Sequence, residues 1–276
     1  MAYNGYALAD YHVHPDFSID AEGSLDEFCM AAVKAGLAEV CFTTHYDTDP
    51  NIPEDVRSMR IGGKLQPVSD KTVAAYLEAV GEANEKYFPI GLQVNAGIEV
   101  GWYSGCEEEI AALFAKFPFT YKLVGLHDLD DDCFCYHKTA NDCFSKHTLD
   151  QFADRYFGYI KEAAQSGLFD SIAHLDVYRR FGLAYYGDEI LEIHRGRIEP
   201  IFEIMSANET GFEINTSGFR HGLDQFYPTM EIVNLARSMG VRIAAIGSDA
   251  HKPEDVGGNL ESAAQIAYEL FPYCDE

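Results

Sequence analysis

The sequence predicts an α/β protein built as a distorted, TIM-like (β/α)7 barrel, and three observations predict it. Seven short apolar runs are each separated from the next by a helix-like stretch, the pattern of parallel βαβ units. Every run ends in a residue able to bind metal or substrate: His12 with His14, His45, Glu99, His127, His174 with Asp176, Asn215, and Asp249 with His251. Polar residues at the C-terminal ends of consecutive parallel strands converge on one mouth if the sheet closes. In an open doubly wound sheet only those near the switch point would meet, so closure is the expectation.

The elements follow in order. "GYALADYH" (5–12) is the first strand. "SLDEFCMAAVKAG" is a helix in which Ser24 and Glu27 make a capping box, Leu25, Phe28, Ala32 and Val33 form an apolar face, and Gly36 stops the helix. "AEVCFTTH" (38–45) is the second strand. A helix from Ser69 to Phe88 carries Val73, Tyr76, Leu77 and Val80 at helical spacing, and "LQVNAGIE" (92–99) follows as a strand. A helix over 106–117 begins with the run Glu107 to Glu109, favourable to the helix dipole, and precedes the strand "YKLVGLH" (121–127). A helix over 149–165 precedes "FDSIAHLD" (169–176). A long amphipathic stretch from Asp188 to Ala207 precedes "GFEINTS" (211–217). "PTMEIVNLARSMG" reads as a helix started by proline and stopped by glycine. It leads to "VRIAAIGSDAH" (241–251), and a helix over 258–271 closes the chain.

Length and composition fit one domain over residues 1–276, with 47% hydrophobic residues and charge spread along the chain. No run of eighteen apolar residues occurs, and the start "MAYNGYALADYH" lacks the basic and apolar parts of a signal peptide. A soluble, cytoplasmic protein is expected. Seven cysteines, an odd count with none in a CxxC, argue against a disulfide framework. A formal charge of −25 argues against nucleic acid or an anionic membrane as partner, since both are polyanions. An anionic substrate then needs a local reversal of sign.

The strand-end residues supply one. A lone histidine at a strand end is more often structural than a ligand, but a joint set of six histidines and three carboxylates at equivalent strand ends is not an accident of composition. Alternation points the rings of His12 and His14 the same way, and Asp20 follows six positions after His14. Imidazole with carboxylate suits divalent zinc, iron or manganese, and the set contains no thiolate. Nine ligands exceed one ion, so two or three bridged ions are expected. Such ions clamp a phosphoryl group and make hydroxide from water, which points to metal-assisted hydrolysis of a small phosphorylated substrate. Three divalent ions bring six positive charges, and Asp20, Glu99 and Asp249 return three negative ones, leaving a cationic mouth in an acidic protein. Arg179 and Arg180, after "AHLD", and Arg220 with His221, in "NTSGFRHG", are expected in loops on that face. There they are candidates, with Asn215, to hold the phosphate or substrate. One of the two adjacent arginines should point away.

These residues also resemble a known family, the polymerase and histidinol phosphatase (PHP) superfamily, and within it the histidinol-phosphate phosphatases. "DYHVHPDFSID" is similar to its first motif, "TTHYD" to the second, "GIEVGW" to the third, "GLHDL" and "AHLDVYRR" to the middle motifs, and "IGSDAH" to the fourth. The resemblance implies a (β/α)7 barrel of PHP fold with a trinuclear metal centre, hydrolysing a phosphomonoester through a metal-bridging hydroxide. Motif by motif, it implies His12, His14, Asp20, His45, Glu99, His127, His174, Asp249 and His251 as ligands, with Asp20 in a loop that returns to the same metals. "EINTSGFRHG" followed by Tyr227 and Pro228 is similar to the segment through which histidinol phosphatases contact substrate. "TTHYD" carries threonine where aspartate is common, and "GLHDL" carries leucine where a small residue and valine are usual; neither departure removes a ligand.

The expected chemistry is positioning and electrostatics, with Asp249 or His251 able to relay a proton to the leaving oxygen, and Asp47 and Asp176 as partners that orient ligating imidazoles. The segment 131–147, with Cys133, Cys135, His137, Cys143 and His147, has no metal-site spacing and is expected as a loop over the mouth. His194 is expected on a long amphipathic helix, as a surface or packing residue. The leading expectation is hydrolysis of L-histidinol phosphate. A phosphoesterase of the same superfamily acting on a nucleotide or sugar phosphate, and a non-catalytic metal-binding module, are the alternatives.

Overall fold

The computed structural model describes residues 2–3, 6–130 and 132–271. Gly5, the expected start of the first strand, and Asp131, the first residue of the 131–147 segment, therefore lie outside the described residues. Seven parallel strands form where the apolar runs predict them: β1 (Ala9–Val13), β2 (Glu39–Phe42), β3 (Gln93–Gly101), β4 (Tyr121–Gly125), β5 (Ser171–Ile172), β6 (Gly211–Asn215) and β7 (Ile243–Gly247). Each pairs in parallel with the next in chain order. The ring closes between β7 and β1 just beyond their paired residues, where Asp249 N donates to His12 O at 2.7 Å and His14 N to Ala250 O at 2.8 Å. Closure is thus made by the segment that carries His12 and His14 and the one that carries Asp249 and His251. Buried Asp10 reinforces it by accepting from Ser248 N at 2.8 Å and Gly257 N at 2.9 Å. The barrel is distorted: β1 shifts register between Asp10 and Val13, and such a bulge re-aims the side chains beside it.

The helices longer than one turn are α1 (Leu25–Ala35), α2 (Asp70–Tyr87), α3 (Glu107–Lys116), α4 (Ala140–Ser145), α5 (Leu149–Ser166), α6 (Arg179–Tyr186), α7 (Glu199–Ala207), α8 (Met230–Ser238) and α9 (Leu260–Leu270), and a single helical turn spans Ser217–Arg220. The capping box of Ser24 with Glu27 forms as expected, and Gly36 ends α1 with a left-handed φ of 69°. Most of the core lies between the strands and the helix layer, where Phe28, Val40, Phe42, Val73, Tyr76 and Val80 are buried. Each such side chain contributes roughly 1.5–3 kcal/mol. The smaller cluster of Cys41, Tyr121, Leu123 and Ala173 takes one or two residues from each of three strand segments and fills the barrel below the mouth.

Three local expectations are corrected. The stretch from Asp188 to Ala207 is not one helix: a 3₁₀ segment (Gly187–Glu192) and α7 are separated by a turn containing Gly196 at φ 77°, and Pro200 opens α7. Pro228 does not start α8, which begins at Met230 behind Thr229. Arg179 and Arg180 open α6, and Arg220 ends the helical turn Ser217–Arg220, instead of lying in loops. The structure also adds an antiparallel hairpin, Ser58–Ile61 with Lys64–Pro67, turned by Gly62 and Gly63 at φ 58° and 76°. Two successive positive φ values are the signature of the tight hairpin turn that glycine permits. Among the described residues no helix is long and apolar enough to cross a membrane, and the six described cysteines are free.

Candidate metal centre

Strand ends place the ligand candidates around one carboxylate. Glu99, fully buried near the end of β3, has Oε2 at 3.4 Å from Nε2 of both His12 and His14 and at 3.1 Å from His45 Nδ1. Its Oε1 lies 3.3 Å from His127 Nε2 and 3.2 Å from His174 Nε2. His45 reaches it because a two-residue strand, His45–Tyr46, pairs with β3 and sets His45 opposite Glu99. Close approach needs glycine: a Cβ at Gly125 would overlap Glu99 and His127, and one at Gly247 would overlap His12.

Asp249 and His251 complete the ring from the β7 side. Asp249 Oδ1 lies 3.7 Å from His12 Nε2, 3.6 Å from His14 Nε2 and 3.5 Å from His251 Nδ1. Asp20 closes the mouth, 3.7 Å from His45 Nε2 and 3.2 Å from His251 Nε2, with its side chain 53% exposed. All nine expected ligands therefore meet in one cluster. Asp249 and His174 hold left-handed φ values of 55° and 24°, conformations that a non-glycine residue keeps only where its surroundings impose them.

The cluster fits divalent metal on its own chemistry. His12 Nε2, His14 Nε2, His45 Nδ1, His174 Nδ1 and Glu99 Oε2 are buried without a hydrogen-bond partner among the described residues. Orphaned buried polar atoms are costly unless something else satisfies them. Four overlapping donor groups, His12–Glu99–His174, His12–His14–Asp249, His14–His45–His251 and His45–Glu99–His127, each bring their atoms within 4.8 Å of one another. Shared members make bridged ions the natural filling. Burial would raise the Glu99 carboxyl, but His12 and His127 outweigh it and hold the group well below the carboxylate range. Asp249 behaves likewise through His12, His251 and His14. Burial, aided by His251 and His45, pushes the His14 imidazole well down, toward the neutral form a metal requires.

Sequence reasoning missed Glu213. This buried carboxylate, mid-strand on β6, has its oxygens 2.9 and 3.0 Å from His12 Nδ1 and accepts from His174 N at 2.9 Å. It takes the orienting role expected of Asp176. Asp176 is instead buried in an ion pair with Arg179 at 2.8 Å and accepts from Thr229 N; Asp47 stands near His45 and His127. Glu213 adds a fourth carboxylate to the three of the cluster.

Several substrate candidates are corrected. Arg179, 3% exposed, is committed to Asp176, Gln225 Oε1 and Phe226 O and points away from the mouth. Asn215 lies beneath the cluster, with Nδ2 2.8 Å from Glu213 and 3.4 Å from Asp249 and Oδ1 accepting from Ser217, so it braces ligands. Arg220 holds the backbone before His251, donating to Ser248 O and Asp249 O at 3.1 and 2.8 Å. Arg180 and His221 remain at the mouth. Arg180 donates to Cys135 O at 3.4 Å, and His221 Nδ1 lies 3.3 Å from Tyr227 Oη. His194 is a packing residue, 2% exposed and 3.2 Å from Glu231. No cysteine or histidine of 132–147 joins a metal-capable group among the described residues.

Residues 10–217 match the model of the PHP domain family. The chain belongs to the PHP domain family. Similar PHP relatives include a protein named probable histidinol-phosphatase from Deinococcus radiodurans, 26% identical over 94% of this chain and 92% of its own length. A second of that name, from Thermotoga maritima, is 28% identical over 92% of this chain and 88% of its own. The fold is similar, at a TM-score of 0.72 and 21% identity, to the crystal structure of histidinol phosphate phosphatase from Lactococcus lactis complexed with zinc, L-histidinol and phosphate. That likeness covers 95% of this chain and 93% of the other.

Proposed function

We propose that this PHP chain is a single-domain, metal-dependent phosphomonoesterase that hydrolyses L-histidinol phosphate to L-histidinol and phosphate. The observation that carries the reading is the cluster itself: five imidazoles gather on buried Glu99, Asp249, Asp20 and His251 close the ring, and five of its buried polar atoms have no hydrogen-bond partner among the described residues. His12, His14, Asp20, His45, Glu99, His127, His174, Asp249 and His251 would hold two or three divalent ions of zinc, iron or manganese. Such ions, when bound, polarise phosphoryl oxygens and make water acidic enough to attack near neutral pH.

The chain's own residues do the rest. Glu213 fixes the ring of His12 so that its Nε2 faces Glu99. Arg180 takes the phosphate role once given to the arginine pair, because Arg179 is fully committed elsewhere. His221 lines the same side and meets the substrate through its ring. A ligating imidazole has no proton to give, so the leaving alkoxide oxygen takes its proton from water at the mouth, where partly exposed His251 lies 3.2 Å from Asp20, while Asp249 stays against His12 and His14. The named substrate is supported by the segment from Glu213 to Gly222 and by the names of the relatives.

The test is steady-state hydrolysis of L-histidinol phosphate against nucleotide and sugar phosphates, with zinc or manganese supplied and H251A as control. A preference in kcat/KM of about a hundredfold, roughly 2.7 kcal/mol in the transition state, upholds the substrate. Hydrolysis no faster than that of the panel removes it.

A further inference from the structure

We propose that Arg60 is a positioning residue for the metal centre: it moulds the loop of residues 16–21 and so sets Ser18 and Asp20 against the ligating histidines. The proposal rests on the metal-centre reading above. Arg60 belongs to the hairpin turned by Gly62 and Gly63, an excursion outside the barrel that the catalytic reading leaves without a role. Its Nη1 donates to Asp16 O at 3.2 Å, Ser18 O at 3.0 Å and Ala21 O at 3.2 Å. Its Nη2 donates to Ile19 O at 2.5 Å, and its own backbone N to Phe17 O at 2.9 Å. One residue thus gathers the carbonyls of five of the six residues from 16 to 21.

That loop has no helix or strand of its own, and it delivers two contacts to the cluster at different depths. At its base, buried Ser18 places Oγ 3.2 Å from His14 Nδ1 and 2.9 Å from Thr44 Oγ1, and accepts from His45 N at 3.2 Å. At its rim, Asp20 faces His45 and His251. Ser18 therefore orients the His14 ring, and Asp20 supplies a carboxylate whose half-exposed side chain has little packing to hold it. Arginine suits the task and lysine does not, because a planar guanidinium presents five donors in a fixed fork, whereas an ammonium is a compact point charge on a flexible stem.

The experiment uses the full chain as wild type, R60M, R60K, D20N and the R60M/D20N double variant. Bound zinc is counted by elemental analysis after dialysis, and affinity is titrated against a competing chelator. Far-UV circular dichroism checks the fold. R60M is expected to keep the wild-type fold and to weaken its most loosely held zinc at least tenfold, with R60K between R60M and wild type. The double variant is expected to lose less than the sum of the two single losses, since Arg60 acts in part through Asp20. Wild-type zinc count and affinity in R60M, or losses that add in the double variant, would overturn the proposal. If R60M does not fold, R60K carries the test, and wild-type zinc affinity in R60K overturns the requirement for the fork. A wild-type chain that holds no zinc overturns the metal centre and Arg60's part in it. A chain that holds zinc through Arg60 but turns over no histidinol phosphate removes the proposed substrate alone.

Discussion

Glu213 stands directly against His12, its two carboxylate oxygens 2.9 and 3.0 Å from Nδ1, while Nε2 of the same ring faces Glu99 at 3.4 Å. One buried carboxylate therefore fixes the tautomer and the direction of the His12 ring from behind. It does the same for the backbone of His174. Replacing Glu213 by glutamine keeps the shape and an acceptor but removes the charge that raises the basicity of the imidazole. Zinc affinity should fall about ten- to a hundredfold, as for other carboxylates behind a ligating histidine. A chelator competition titration of wild type and E213Q measures it, and equal affinities would reduce Glu213 to packing.

Removing metal should cost stability as well as activity, because five buried donor atoms of the cluster have no other partner among the described residues. At free zinc a hundredfold above its dissociation constant, binding adds about 2.7 kcal/mol to the folded state. For a chain of this length that corresponds to a rise in Tm of about 5–10 °C. Thermal unfolding with chelator, then with zinc restored, reads the difference. A Tm indifferent to zinc would deny that the cluster is a metal site.

The two adjacent arginines should separate by phenotype. Arg179 is buried in its pair with Asp176, so R179M leaves a buried carboxylate without its partner and should destabilise the fold by about 3–5 kcal/mol. R180M leaves the fold intact and should lower kcat/KM for the phosphoester roughly ten- to a hundredfold, the effect of about 1.5–3 kcal/mol for a hydrogen bond to a charged group. Urea unfolding and steady-state kinetics on both variants decide. The reverse pattern would exchange their roles.

Those two residues also mark where the sequence stops being informative. Strand ends, ligand spacing and the capping box at Ser24 were legible because each depends on neighbours within a few positions. Which of Arg179 and Arg180 faces the mouth depends on the phase of α6 and on the Gln225 side chain and Phe226 carbonyl that Arg179 grips, far away in sequence. Glu213 had a readable signal, a charge inside the apolar strand "GFEIN" two residues before Asn215 and so on the same face, yet the strand-end asparagine drew the assignment. Arg60 had no signal at all, since its partners are main-chain carbonyls some forty positions earlier.

His221 gives the site a test in pH. Burial first, and then the charge of Arg180, push its imidazole down to about 3 in the fold, against an ordinary value of 6.5. Between those values the unfolded chain binds a proton that the folded chain refuses, so the folded state loses ground as pH falls. The contribution of a neutral His221 is complete above pH 6.5 and is lost progressively as pH drops toward 3. Glutamine cannot titrate there, so H221Q removes this slope and leaves those of the other histidines in place. The stability of wild type relative to H221Q should therefore fall by about 1–2 kcal/mol between pH 7 and pH 5, less than the full linkage because the ring is partly in contact with water. Urea unfolding of both proteins at the two pH values, with zinc in excess throughout, supplies the comparison. Parallel pH profiles would mean that His221 takes up its proton in the fold as readily as in the unfolded chain, and a ring charged below pH 6.5 would add to the positive mouth that Arg180 begins.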